Sequence, residues 1–196
     1  GFVLAALSIG WPLAASVAGH VYVRIGFRDT ALIGGAVVLV GGILAATLPA
    51  DASLARVAFA CFVVGAGLGL MNSPVLVAVQ SVVGWNRRGV VTGANMFFRS
   101  MGSALGAALF GAISNATIAS RFDDAPAELG GLPAPSEATR TALAGDFDEG
   151  SPAGRFVRAA LYAATHHVLV AVLVVAAYAV VFVALIPRRT KELVFD

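Results

Sequence analysis

Two apolar stretches of this 196-residue chain carry groups able to do chemistry: Asn72, Ser73 and Gln80 in one, and Asn95, Arg99 and Ser103 in the other. Amides, hydroxyls and a guanidinium held among apolar side chains suit recognition by hydrogen bond and charge, without bond-making. No nucleophile stands beside a base, no ligand set has metal spacing, and no glycine-rich phosphate loop is present, so neither an enzyme nor a cofactor is expected. His166-His167 are neighbours pointing about 100° apart on a helix, a poor metal geometry, and read as interfacial, as does His20. Arg99 is the exception that demands an explanation. A cation at the centre of a bilayer costs at least roughly 2.5–3.5 kcal/mol, so it must face a partner, a water-filled cavity or the interface. It serves either as an anchor or bridge, or in contact with substrate or coupling. No Asp or Glu lies inside the apolar spans, so a carboxylate partner would have to come from a loop or from sequence outside the chain.

The elements that position these groups follow from composition. The chain is 59% hydrophobic and 12% charged with mean hydropathy +0.88, against roughly 25% charged residues in soluble domains. It reads as a membrane protein, and its 22 glycines fit close helix packing in lipid. The net charge of +2 sits in short clusters between apolar runs, a topological pattern that excludes a nucleic-acid face. Cys61, in an apolar stretch and alone, reads as a small buried hydrophobe. The chain opens at Gly1 without Met or a signal-peptide pattern and reads as the C-terminal part of a longer protein.

Runs of about 20 apolar residues, the length that crosses a ~30 Å hydrocarbon core, fall at about 2–22, 31–49, 56–80, 90–118 and 161–186. The expected organisation is therefore four spans in residues 1–118, a loop at 119–158, a last span within 159–187 and a tail at 188–196. Arg24 and Arg28, then Arg87 and Arg88, then Arg188, Arg189 and Lys191 follow the first, third and fifth spans, which puts those connections and the C-terminus in the cytoplasm and Gly1 outside. The 119–158 segment carries seven acids against four Arg and is expected outside, with one short surface helix starting near Ser136. Asn115-Ala116-Thr117 matches a glycosylation sequon at a helix end and reads as a chance tripeptide.

The spans differ in kind. The second and fifth hold almost no polar groups and are expected to face lipid, whereas the first, with Ser8, Trp11, Pro12 and Ser16, and the third and fourth are expected to line an interior. In the third, Gly65, Gly67 and Gly69 permit close helix approach, and Pro74 removes a backbone donor and either shapes a binding site or simply the bundle. At about 100° per residue the fourth span sets Thr92, Asn95, Arg99, Gly102, Ser103 and Gly106 on one face, with Gly102 and Gly106 forming a G-x-x-x-G packing pair.

The stretch GHVYVRIGFRD, with Gly19, Arg24, Gly26 and Arg28, resembles the cytoplasmic loop motif of the major facilitator superfamily. Its acid position holds Val23, which implies a weakened charge relay. GAGLGLMNSPVLVAVQSVV and RGVVTGANMFFRSMGSALGAALFG resemble the closing helices of the drug/proton antiporter branch with fourteen spans, and the likeness covers about residues 1–190. The resemblance implies an all-α fold in which five transmembrane helices form most of a C-terminal half-bundle. It implies an inner-membrane exporter exchanging protons for hydrophobic or cationic small molecules by alternating access, partnered by an N-terminal half that holds the proton-carrying acids. The alternatives are a facilitator-fold metabolite or lipid transporter and a non-transporting membrane scaffold, for which the G-x-x-x-G pair would serve equally well.

Overall fold

A computed structural model describes residues 1–126, 129, 132–144 and 150–186. The described residues contain six α-helices and no strand: α1 Phe2–Ile25, α2 Phe27–Ala46, α3 Leu54–Ser81, α4 Arg88–Asp123, α5 Pro135–Ala144 and α6 Pro152–Leu185. All but α5 are long and apolar enough to cross a membrane, which makes this an all-α membrane protein. Helices are what such a sequence must form, since a backbone in hydrocarbon has to satisfy its own N–H and C=O groups. The tail expected at 188–196, with its three basic residues, lies outside the described residues.

The helices α1, α3 and α4 run past the apolar runs that announced them, whereas α2 and α6 begin earlier than theirs and end short of them. The basic residues after the first span break nothing: Arg24 closes the last turn of α1, Arg28 lies in the first turn of α2, and Gly26 alone separates the two helices. Gly26 has φ 93° and ψ 162°, a region open essentially to glycine. Its N–H donates to the Tyr22 carbonyl at 2.9 Å, and its own carbonyl accepts from both the amide and the hydroxyl of Thr30. The segment expected as a 119–158 loop likewise contains the end of α4, all of α5 and the start of α6. Pro135 and Pro152 stand at first helical positions, where their missing N–H is no loss, so α5 begins one residue before Ser136. The Ser151 hydroxyl accepts from the Gly154 amide at 3.0 Å and caps α6.

Contacts divide the described residues into two units, one comprising Gly1–Ser103 with those from Val172 onward, the other those within Ala104–Ala171. In the first, α3 is packed between α1 and α2. A Cβ on Gly65 would collide with the Leu7 carbonyl oxygen and one on Gly69 with that of Trp11, whereas one on Gly67 would stand 2.6 Å from the Val38 amide nitrogen on α2. Contact this close gains dispersion that bulky side chains would block. The outcome for α2 differs from the lipid-facing role expected of it. Gly34 and Gly41 lie against α3, Gly35 against Val180 and Gly42 against Leu173 of α6, while Ile33, Val40 and Ile43 stay exposed. Polarity was the wrong guide there, because in lipid small residues mark a packed seam even where no polar atom is present.

In the second unit, Ile118 of α4, Ala138 of α5 and Val157, Ala160 and Ala164 of α6 are buried. The rings of Phe122 and Phe156 meet edge to face at 5.5 Å, and Thr117 Oγ1 lies 3.2 Å from His167 Nδ1. The sequon is therefore inside α4, with its Thr hydroxyl also donating to the Ile113 carbonyl.

Candidate functional site

Three helices of the first unit converge on an open cavity of about 390 Å³. Trp11 comes from α1, Leu68, Met71, Asn72 and Val75 from α3, and Asn95, Phe98 and Arg99 from α4. Its size falls in the roughly 300–1,000 Å³ range of small-molecule sites, and its make-up, apolar walls with a few convergent polar groups, is theirs too.

The placement of each group has a local cause. Gly69 brings the backbone of α1 onto α3 at Trp11, which fixes the indole at the cavity wall. On the other side, the Gln80 amide donates to Thr92 Oγ1 at 3.0 Å, and that hydroxyl donates to the Arg88 carbonyl at 2.8 Å. Thr92, Asn95 and Arg99 are spaced three and seven residues apart and share a helix face, so turning Thr92 toward α3 turns the other two toward the cavity. The Arg99 Cζ lies 5.2 Å from the centroid of the Trp11 ring, a cation–π contact across α1 and α4. Among the described residues Arg99 makes no hydrogen bond or ion pair, and the lining carries no other charge.

Of the six polar side chains singled out in the sequence, Asn72, Asn95 and Arg99 meet at this cavity. Gln80 sits outside it as the α3–α4 bridge, and Ser73 and Ser103 are not among its lining residues. Pro74 is fully buried inside α3, which continues through it to Ser81. Gly65, Gly67 and Gly69 lie at helix contacts, but a Cβ on Gly102 would meet nothing within 4 Å among the described residues, and one on Gly106 only Phe110 of its own helix. Trp11 was visible in the sequence as the sole large aromatic in mid-α1, yet nothing local announced that it would face Arg99.

The residues resembling a loop motif form a second polar locus. Gly19 is uncrowded and Arg24 exposed, while Arg28 Nη2 donates to the Ala184 carbonyl at 2.5 Å. That carbonyl belongs to the last turn of α6 among the described residues, where a cation complements the helix dipole. Arg28 Nε is buried with no hydrogen-bond partner among the described residues. The guanidinium borders a smaller apolar cavity of about 160 Å³ with Phe27, Ala31, Val79, Val82 and Ile186.

Comparison with known proteins adds three curated relatives. The chain is 28% identical over 149 residues to the multidrug transporter protein MdtP of Bacillus subtilis (strain 168), covering 76% of this chain and 28% of the relative. It is 32% identical over 110 residues to the MFS-type transporter clz4 of Cochliobolus lunatus, covering 53% of this chain and 20% of the relative. It is 25% identical over 125 residues to multidrug resistance protein 3 of Bacillus subtilis (strain 168), covering 64% and 24%. The matched regions thus span 20–28% of these relatives' own lengths. No family model matches the chain, and no solved structure matches it.

Proposed function

From a chain related to MFS-type and multidrug transporters, we propose that these helices serve a secondary active transporter that exports drug-like hydrophobic small molecules against protons by alternating access. The observation that carries this reading is the convergence of Trp11, Asn72, Asn95 and Arg99 from three helices on one cavity. In this reading α1, α3 and α4 wall part of the substrate path, and the five long helices form most of a C-terminal facilitator half-bundle in the inner (plasma) membrane. The fourteen-helix drug/proton antiporter branch is the proposed placement, with Gly1 outside and the C-terminus in the cytoplasm. The remaining cavity wall and the proton-carrying acids come from an N-terminal half of the same transporter.

The test uses the full-length protein in everted membrane vesicles. An imposed proton gradient drives accumulation of a fluorescent hydrophobic dye, a protonophore abolishes it, and Arg99→Ala lowers it by about tenfold or more at equal membrane expression, the effect of losing roughly 1.4 kcal/mol at the site. Accumulation indifferent to the gradient removes proton coupling, and full activity of Arg99→Ala removes Arg99 from the path. The scaffold reading has one observation in its favour, the open space beside Gly102 on α4. It requires instead that no dye moves at all and that Gly102→Leu releases a co-purifying membrane partner.

A further inference from the structure

A lipophilic cation is held in an apolar cavity by a carboxylate or by the open face of an aromatic ring. Among the described lining residues this cavity offers no carboxylate, and its aromatic surfaces are the Trp11 indole and the Phe98 ring. Its lining contains one ionisable group, Arg99, and the indole of Trp11 is engaged by that same guanidinium at 5.2 Å. A second cation entering here would meet a like charge and would share the Trp11 ring with the guanidinium already over it.

The same arrangement suits an anion. A cation–π contact orients a guanidinium without consuming its N–H donors, and Arg99 spends none of them on any described residue. Its planar fork matches a carboxylate or sulfonate in two parallel hydrogen bonds. Asn72 on α3 and Asn95 one turn earlier on α4 bring neutral amides with further donors, while Phe98, Met71 and Leu68 supply apolar surface for a ring system. Arg99 is itself solvent-accessible, so an acid group can reach it.

We propose that the cavity between α1, α3 and α4 is an anion subsite selecting aromatic amphiphiles that carry a carboxylate or sulfonate, with the acid group on Arg99 and the rings against the apolar wall. This rests on the reading of the cavity as part of the substrate path. It departs from the hydrophobic or cationic cargo that the family resemblance implies, and the departure comes from the sign of the one charge among the described lining residues.

Binding and transport are measured separately on the full-length protein, with carboxyfluorescein as the anionic probe, Nile red as the neutral one and ethidium as the cationic one. In detergent, the purified protein binds carboxyfluorescein, read by anisotropy. Arg99→Gln weakens that binding by about tenfold, Arg99→Lys restores part of it, and Nile red binding changes less than about twofold across the series. Ethidium binds more weakly than carboxyfluorescein to wild type and gains affinity in Arg99→Gln. Ethidium binding as tight as carboxyfluorescein in wild type overturns the proposal, as does absence of carboxyfluorescein binding. Equal loss of all three probes in Arg99→Gln, the signature of a structural role, overturns it too. So does carboxyfluorescein binding that Arg99→Gln leaves unchanged, the signature of an Arg99 neutralised by an acid from elsewhere in the protein. Proton-driven vesicle transport then separates the two readings. Arg99-dependent binding without transport keeps the anion subsite and removes export, whereas transport confined to ethidium keeps export and removes the subsite.

Discussion

Arg99 and Trp11 illustrate how one residue changes the meaning of another. Alone, an indole in mid-helix is a platform for cations; with a guanidinium over it, the pair becomes a positively charged wall with an apolar backing. Replacing Trp11 by Leu keeps an apolar side chain but removes the ring and frees the guanidinium to seek other partners. The expected outcome is a loss of several-fold in affinity for an anionic probe, smaller than that of Arg99→Gln because the charge remains. Isothermal titration with the full-length protein checks the order. Gly26 is the other residue whose role is set by a single geometric fact. At φ 93° and ψ 162° a side chain is strained whatever space surrounds it, so Gly26→Ala should destabilise the folded protein by about 1–3 kcal/mol. A thermal melt in detergent that matches wild type would show that the α1–α2 corner can rearrange at little cost. Arg28 closes the end of α6 through the Ala184 carbonyl. Without it, in Arg28→Ala, backbone amides at Val183 to Ile186 should exchange hydrogen faster while the centre of α6 is unaffected, and unchanged exchange would assign that end of the helix to other contacts.

Among the elements, α2 and α3 carry the packing and α4 carries the exposed chemistry. The glycines of α3 predict a sharp contrast within the same protein. Gly65→Val and Gly69→Val drive a side chain into the backbone of α1 and should each cost at least about 1–3 kcal/mol, whereas Gly102→Val enters open space and should melt close to wild type. If Gly102→Val is as damaging as Gly65→Val, α4 has a neighbour packed on that face in the assembled protein. The number of long helices and the polar stripe of α4 were legible in the sequence because both depend on local periodicity, which places Thr92, Asn95 and Arg99 on one face wherever the helix goes. The role of α2 was not. Its glycines recur in pairs seven residues apart, Gly34-Gly35 and Gly41-Gly42, which is the mark of two seams on one helix, but the absence of polar groups pointed only to a lipid-facing helix. The indole beside Arg99 was illegible for a different reason: it depends on how far α1 slides along α3, a register set jointly by Gly10 of α1 and by Gly65 and Gly69 of α3, which the periodicity of neither helix fixes alone. The short helix α5 could be anticipated because a serine cap followed by Glu137 makes a helix start recognisable from four or five residues, although the helix in fact begins at Pro135.

On the scale of the whole molecule, the described cavity has a charge but no titratable acid, which bears on how transport would be driven. A site that binds cargo through a guanidinium, a group that stays protonated throughout the working range, has no proton of its own to exchange. Arg99→Gln should therefore raise the KM for an anionic substrate while leaving the shape of the transport rate against pH superimposable on wild type. A displaced pH profile would place Arg99 in contact with the coupling groups. The matched regions span 20–28% of the curated relatives' lengths, and the proposed division of labour puts proton handling in the part of such a transporter beyond these helices. The one-residue corner at Gly26 has a mechanical corollary for any such cycle. Two helices joined by a longer loop can rock independently, but a joint with a single φ and ψ, both helices hydrogen-bonded up to its edges, has no slack to absorb twist. Rotation of α1 about its axis must be handed directly to α2, and spin labels on the two helices should hold one distance throughout turnover while each moves relative to the rest of the protein, so that the corner works as a rigid elbow transmitting torque.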